Sequence, residues 1–224
     1  MPISRIGFAS AEATTVSIPA HQVGDLIIIW AFRDGSVTNP TIGMSGATTI
    51  TNAADGTTCS ISAAYKVALS TGETSGTWTN ATGLVCAVFR GQATNKTPLG
   101  SHQSTSGTTN TVSYASVINC KTSSWIVGFA AHRSINTTIE SPPTGFAMQT
   151  NTVGASAEFV GFDTNGVRGG VGSYPLTTVS ISGTASGWMS TLIEIFNGDN
   201  VMNNYMTPDS SSTNTGILSV GGIG

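Results

Sequence analysis

Charge is what this sequence has least of. Only 8 % of its 224 residues are Asp, Glu, Lys or Arg, against roughly a quarter in ordinary globular chains. Eight basic residues against eleven acidic ones leave a formal charge of −3. No basic stripe exists to neutralise phosphates, so nucleic acid is not an expected partner. Long straight-chain charged residues are the ones that suit exposed helix faces, and their scarcity disfavours helix. Long apolar runs are missing too. The longest, Leu26 to Phe32, is strand-sized and far short of the roughly 20 residues of a membrane span. Residues 1–10 lack the apolar core of a secretory signal, so no export and no membrane association are expected. Cysteine is sparse: Cys59, Cys86 and Cys120 are an odd number, widely spaced, each in or beside an apolar strand-like segment. They read as buried free thiols in preference to one disulfide plus a leftover. No Cys-x-x-Cys or Cys/His cluster offers a zinc site, and no cofactor is implied. The sequons at Asn80, Asn95 and Asn136 are what a Thr-rich chain produces by chance.

Ser, Thr, Asn and Gly carry the polarity instead, and that composition favours strands joined by tight turns. Thr14 to Ile18 alternates. Leu26 to Phe32, closed by Asp34-Gly35, is an unbroken apolar run rich in β-branched residues, the pattern of a central strand covered on both faces. Further strand-like runs are Thr48 to Thr51, Cys59 to Leu69, Gly76 to Asn80 around Trp78, and Leu84 to Phe89. Gln92 to Thr109 is polar, contains Pro98 and Gly100, and reads as a loop or linker.

The second half repeats this pattern. Thr111 to Tyr114 parallels Thr15 to Ile18, Trp125 to Ala130 parallels Leu26 to Ala31, and His132-Arg133 stands near the place of Arg33-Asp34. Ser156 to Phe162 alternates like Ser60 to Tyr65, and Met189 to Phe196 parallels Leu84 to Phe89. The offset drifts from 96 at Val16/Val112 to 107 at Phe89/Phe196. Either the chain is an internal pseudo-repeat or it shows the self-similarity of any chain of evenly spaced strands. Half a chain is too thin to bury an apolar face alone. The expectation is therefore an all-β, antiparallel, jelly-roll-like sandwich spanning residues 1–198, with helix nearly absent. Residues 199–224 follow no period. They set Met202, Tyr205, Met206, Ile217 and Leu218 in a matrix of Asn, Ser, Thr and Gly, and read as a C-terminal extension or docking arm whose apolar residues bind a partner.

Several segments carry a family resemblance. Gly24-Asp25-Leu26-Ile27-Ile28-Ile29-Trp30-Ala31, Ala64-Tyr65-Lys66-Val67-Ala68 with Gly72-Glu73, and Val85 to Arg90-Gly91 resemble a group of bacteriophage virion proteins. That group has a G-D-L-L-V-A-F strand, a Y-W-K-V-A-x-x-G-E hairpin and an aromatic-Arg-Gly strand end. Ser141-Pro142-Pro143-Thr144-Gly145-Phe146 resembles its P-P-x-G-W turn. The resemblance implies a β-sandwich on the outer surface of a phage particle, made in the host cytoplasm, as a capsid decoration or a tail-associated protein. Its partners would be the major capsid protein or other virion proteins, and its own state a homo-oligomer, a trimer being favoured. It transfers no active-site residue.

Two other function classes have candidates. A tail-associated carbohydrate-binding adhesin would stack sugars on Trp78 or Trp188, the two tryptophans outside the most apolar strands; Trp30 and Trp125 read as core. A glycan-cleaving enzyme needs paired carboxylates, and Glu158, Asp163 and Glu194 are the candidates, each also explained by a turn or by strand alternation. Asp25 and Glu73 follow glycine at strand edges and read as turn residues. His21, His102 and His132 lack a nucleophile motif nearby. Asp55-Gly56 and Asp163 to Gly166 are too poor in oxygen ligands for calcium and read as turns. The expectation is a non-enzymatic capsid decoration, or cement, protein with no catalytic, cofactor or metal residues.

Overall fold

The computed structural model describes residues 2–94, 97–120, 123–133, 139, 141–167, 172–174, 177–180 and 187–198. The expected all-β antiparallel sandwich forms, and no α-helix occurs among the described residues. Its connectivity is that of two successive sheets. The first half supplies β1 (Ser4–Ala11), β2 (Leu26–Asp34), β3 (Thr48–Ala54), β4 (Cys59–Val67) and β5 (Gly83–Arg90), ordered β1-β5-β2-β4-β3. The second half supplies β6 (Leu99–Gly107), β7 (Thr111–Tyr114), β8 (Val117–Cys120), β9 (Trp125–His132), β10 (Ala147–Val153), β11 (Glu158–Asp163), β12 (Gly172–Tyr174), β13 (Thr177–Ser180) and β14 (Trp188–Ile195). Its main sheet runs β6-β14-β9-β11-β10. Replacing β1, β5, β2, β4 and β3 by β6, β14, β9, β11 and β10 turns one order into the other. Strands therefore do not alternate between sheets as they do in a jelly roll.

The repeat extends to irregularities. Each sheet has a register shift at each edge: between Arg5 and Gly7 and between Thr49 and Thr51 in the first, between Ile193 and Ile195 and between Met148 and Thr150 in the second. The extra residue lies on the edge strand every time, where a bulge spoils the template for further pairing. The ladders also fix the equivalences. Leu26 pairs with Phe89 and Trp125 with Ile195, so the counterpart of Phe89 is Ile195, one residue short of the sequence match to Phe196.

Alternation explains the apolar runs. Leu26, Ile28, Trp30 and Phe32 point into the gap between the sheets, where they meet Val127, Phe129, Phe159 and Ile193. Ile27, Ile29 and Ala31 point outward yet are also buried, under Val16, Met44 and Trp78. Thr14 to Ile18 and Gly76 to Asn80, expected as strands, are irregular covering chain. They are held by Trp78 N–H donating to Thr14 O (2.8 Å) and Val16 N–H donating to Ser75 Oγ (3.1 Å). Gly76, at φ 61°, is required there, because a Cβ would lie 2.0 Å from Gly43 O. The outer face of the second sheet is covered by the ribbons β7–β13 and β8–β12, with Val112, Tyr114 and Val117 over Ile126, Phe162 and Leu192. Both sheets are thus buried on both faces, which is what an unbroken apolar strand requires.

Leu99 to Gly107 is a further correction. This stretch, expected as loop, is edge strand β6, paired along β14. An edge strand needs backbone pairing on one side only and tolerates polar side chains, so neither apolar content nor alternation marks it. Cys59 and Cys86 are buried free thiols. The side chain of Cys120, and the sequons at Asn95 and Asn136, lie outside the described residues.

Candidate functional site

The segments that carry the family resemblance meet at one end of the first sheet. Asp25 precedes β2 and Arg90 ends the antiparallel neighbour β5. The guanidinium grips the carboxylate bidentately, Nε to Oδ1 at 2.7 Å and Nη2 to Oδ2 at 2.8 Å, and Gln22 N–H donates to Oδ2 at 2.7 Å. Burial disfavours the charge on Asp25, but the donors from Arg90 and Gln22 outweigh it and hold the pKa below the usual carboxylate range. Gln92 Nε2 donates to Gly24 O at 2.6 Å. On the neighbouring hairpin Lys66 Nζ donates to Glu73 Oε2 at 2.5 Å, and Leu69 N–H to Oε1 at 2.8 Å. The lysine bond, then the backbone bond, lower the pKa of Glu73. His21 links the two: its Nε2 accepts Glu73 N–H at 3.2 Å and its Nδ1 lies 2.9 Å from Pro19 O. A neutral ring protonated on Nδ1 satisfies both contacts. These residues clamp strand ends.

The candidate catalytic acids do not come together. Glu158 and Asp163 sit five residues apart on β11, about 16 Å at ~3.3 Å per residue and on opposite faces, whereas glycosidases need about 5–9.5 Å. Glu158 is fully buried against His132, Oε2 to Nε2 3.2 Å, and accepts Ile139 N–H at 2.6 Å. Asp163 lies between the sheets and accepts Arg5 Nη1 at 2.9 and 3.0 Å and Asn165 N–H at 2.8 Å. Glu194 lies on the outer face near the same end, accepting Ser124 Oγ at 2.7 Å and Ser101 N–H at 3.3 Å. The second sheet separates it from Asp163. His102 stands exposed on β6, and His132 is buried. Asp55 is an N–H acceptor, not a cation ligand: Thr57, Thr58 and Cys59 N–H donate to Oδ1 at 2.8, 2.6 and 3.0 Å. No group of three or more His, Cys, Asp or Glu with metal-holding geometry occurs among the described residues.

The proposed stacking surfaces are corrected. Trp78 and Trp188 are 0 % and 2 % exposed. Trp78 belongs to the covering chain of the first sheet and packs against the sheet's outer face, its Nε1 donating to Ser75 O at 3.0 Å, and Trp188 lies in the outer core of the second. Neither ring can meet a sugar. The covering chain reads as strand at Thr14 to Ile18 and around Trp78 yet pairs in no sheet, so its burial of Trp78 is invisible in local sequence. Trp30 and Trp125 are core, as expected.

One end of the sandwich combines a cleft with exposed apolar side chains. The cleft, about 450 Å³, is lined by Gln22, Val23, Asp25, Arg90, Gln92 and Gly198 among others. Val23 is 66 % and Leu69 77 % exposed, and their loops are joined by Gly24 N–H donating to Ala68 O at 2.9 Å. Gly198 N–H donates to Gly91 O at 2.9 Å, so the described chain ends in this cleft. Met202, Tyr205, Met206, Ile217 and Leu218 lie outside the described residues, as does the rest of 199–224. No helix among the described residues is long and apolar enough to cross a membrane.

No protein-family model, curated protein or solved structure matches the chain.

Proposed function

We propose that this chain is a structural protein of a phage virion, a decoration protein that cements the outer surface of the capsid as a homo-oligomer, with the trimer favoured. The observation that carries the reading is where the ionic side chains go. Asp25, Glu73, Glu158, Asp163 and Glu194 all accept bonds that join strands, loops or sheets, so these carboxylates are consumed by the fold. What the described residues leave for contact is a Ser/Thr-rich surface with little free charge and with Val23 and Leu69 at one end. Such a surface makes many polar contacts at little cost in charge desolvation, and copies linked around an axis multiply weak contacts into avidity. The sandwich also limits self-aggregation. Its edges face each other, β1 against β10 and β3 against β6, and hydroxyls join them, Ser10 Oγ lying 2.6 Å from both Thr150 and Thr152 Oγ1.

In this reading residues 199–224 form the arm, leaving from the same end as Val23 and Leu69. The test is an image of intact particles carrying the full chain or a chain ending at residue 198. Density on the capsid exterior for the full chain, lost on truncation while residues 1–198 remain folded, supports the reading. Undiminished occupancy by the truncated chain, or density on the tail alone, overturns it.

A further inference from the structure

The two halves of the fold build the same mouth twice, and only one of the two is plugged. Where β1 meets β10, Asp163, Arg5, Phe8 and Gln149 fill the gap between the sheets. Arg5 Nη1 bonds both oxygens of Asp163, and Gln149 Nε2 donates to Asp163 Oδ1 at 3.3 Å. Phe8 lies edge-on to Phe89 at 6.0 Å. The ladders place Tyr65, Leu99, His102 and Ile50 at the equivalent positions where β3 meets β6. No ion pair spans these four. The second mouth is open as two adjoining clefts of about 590 and 230 Å³ that share Thr48, Tyr65 and Thr97.

We infer that this open mouth, which borders the particle-binding surface at Leu69, is a binding site for a neutral saccharide, an activity beyond the particle binding proposed above. The lining sets one partly buried aromatic ring, Tyr65, backed by Ile50 and Leu99, inside a rim of exposed Thr48, Thr49, Thr97 and His102. The Tyr65 hydroxyl bonds to no protein group among the described residues. A sugar ring has the complementary form: C–H faces that pack on an aromatic ring and hydroxyls that bond hydroxyl and imidazole rims. The one lysine on the lining, Lys66, is neutralised by Glu73, so nothing there selects an anion. The volume suits one to a few sugar residues.

The full chain is titrated by calorimetry with neutral oligosaccharides of glucose, galactose, mannose and N-acetylglucosamine, and with uronic and sulfated oligosaccharides as anionic counterparts. A neutral oligosaccharide saturates the site, and Tyr65→Ala weakens it at least about tenfold. Thr48→Arg, on an exposed residue where refolding is not at risk, blocks the rim and does the same. Gln149→Ala at the plugged mouth leaves binding unchanged. Should Tyr65→Ala fail to fold, Thr48→Arg alone decides. No binding of any neutral oligosaccharide up to about 10 mM, binding of the anionic ones only, or binding unaffected by Thr48→Arg overturns the inference.

Discussion

Trp30 and Phe129 occupy the same position in the two halves of the chain and stack on each other across the core, with ring centroids 6.1 Å apart and planes 7° from parallel. Four residues further along, another equivalent pair does likewise in charge: Arg133 Nε lies 2.5 Å from Asp34 Oδ1. Residues that correspond in the repeat thus contact one another, which is what a two-fold relation between the sheets produces when the axis passes between β2 and β9.

The Trp30–Phe129 contact is therefore the centre of the sandwich, and truncating either ring opens a cavity that both sheets share. Trp30→Ala and Phe129→Ala are each expected to cost about 3–5 kcal/mol. The double variant should cost less than the sum by about 0.5–1.5 kcal/mol, the coupling of an aromatic pair. Denaturant unfolding of all four proteins checks this. Strict additivity would mean the rings do not act as a pair.

Gly76 tests the covering layer. Gly76→Ala places a Cβ against Gly43 O while demanding φ near 61°, and the opposing atom is backbone. The expected loss is at least about 2 kcal/mol. Gly56→Ala shares the left-handed conformation, φ 85°, but meets nothing within 4 Å, so about 1 kcal/mol is expected. Equal losses would show that strain, not the approach of the two loops, sets the requirement at Gly76.

Much of this fold was legible in the sequence, for a definite reason. β2, β5, β9 and β14 lie inside their sheets with both faces covered, so each is an apolar run that survives without context. The repeat showed because those four strands come in equivalent pairs. β1 and β6 were illegible because an edge strand owes its conformation to its neighbour's backbone. The clamp residues Asp25, Arg90, Lys66 and Glu73 stood out as motif letters, yet that Asp25 bonds Arg90, far along the chain, depends on β2 and β5 being neighbours. The open mouth at Tyr65 was missed altogether. It exists only as a difference between two equivalent places in three dimensions, while of the tryptophans that drew attention instead Trp78 is buried within irregular chain and Trp188 in the outer core beneath the ribbons of the second sheet.

Acid should destabilise the protein through its clamps. Asp25, Glu73 and Asp55 all have folded-state pKa values below their ordinary ones: for Asp25 and Asp55 burial is outweighed by donors, and for Glu73 the Lys66 bond dominates. Lowered values contribute stability that is present above the unfolded-state pKa, near 4, and lost as pH falls from there through the folded-state values. Melting temperature is expected to be level above about pH 5 and to drop below about pH 4. Arg90→Ala, which strips Asp25 of its main donor, should lower the melting temperature at neutral pH and flatten the acid limb. A curve that stays level to pH 2 would contradict this account.

The native thiols should be inert. Burial pushes Cys86 far above the ordinary thiol range, and burial together with the Asp55 carboxylate does so for Cys59, so at pH 8 neither presents thiolate to a reagent. In a Cys120→Ser background, a chromogenic disulfide reagent is expected to label nothing in native buffer and both thiols in denaturant. Fast labelling of the native protein would place these residues in contact with solvent.

Val23 and Leu69 are the sharpest test of the particle-binding reading, because they separate adhesion from folding. Both side chains are mostly in water in the free chain, so Val23→Asp and Leu69→Asp should alter stability by no more than about 0.5 kcal/mol. On a particle the same aspartates would have to be desolvated without a partner, since the cations nearby, Arg90 and Lys66, are already bound to Asp25 and Glu73. Occupancy on capsids, measured by quantitative gel of purified particles, is expected to fall at least about tenfold for each variant. Wild-type occupancy should be nearly indifferent to salt between 50 and 500 mM, roughly a threefold change in screening length, because little free charge takes part. Full occupancy by both aspartate variants would move the contact surface away from this end, and a steep salt dependence would mean that ionic groups outside the described residues make the bond.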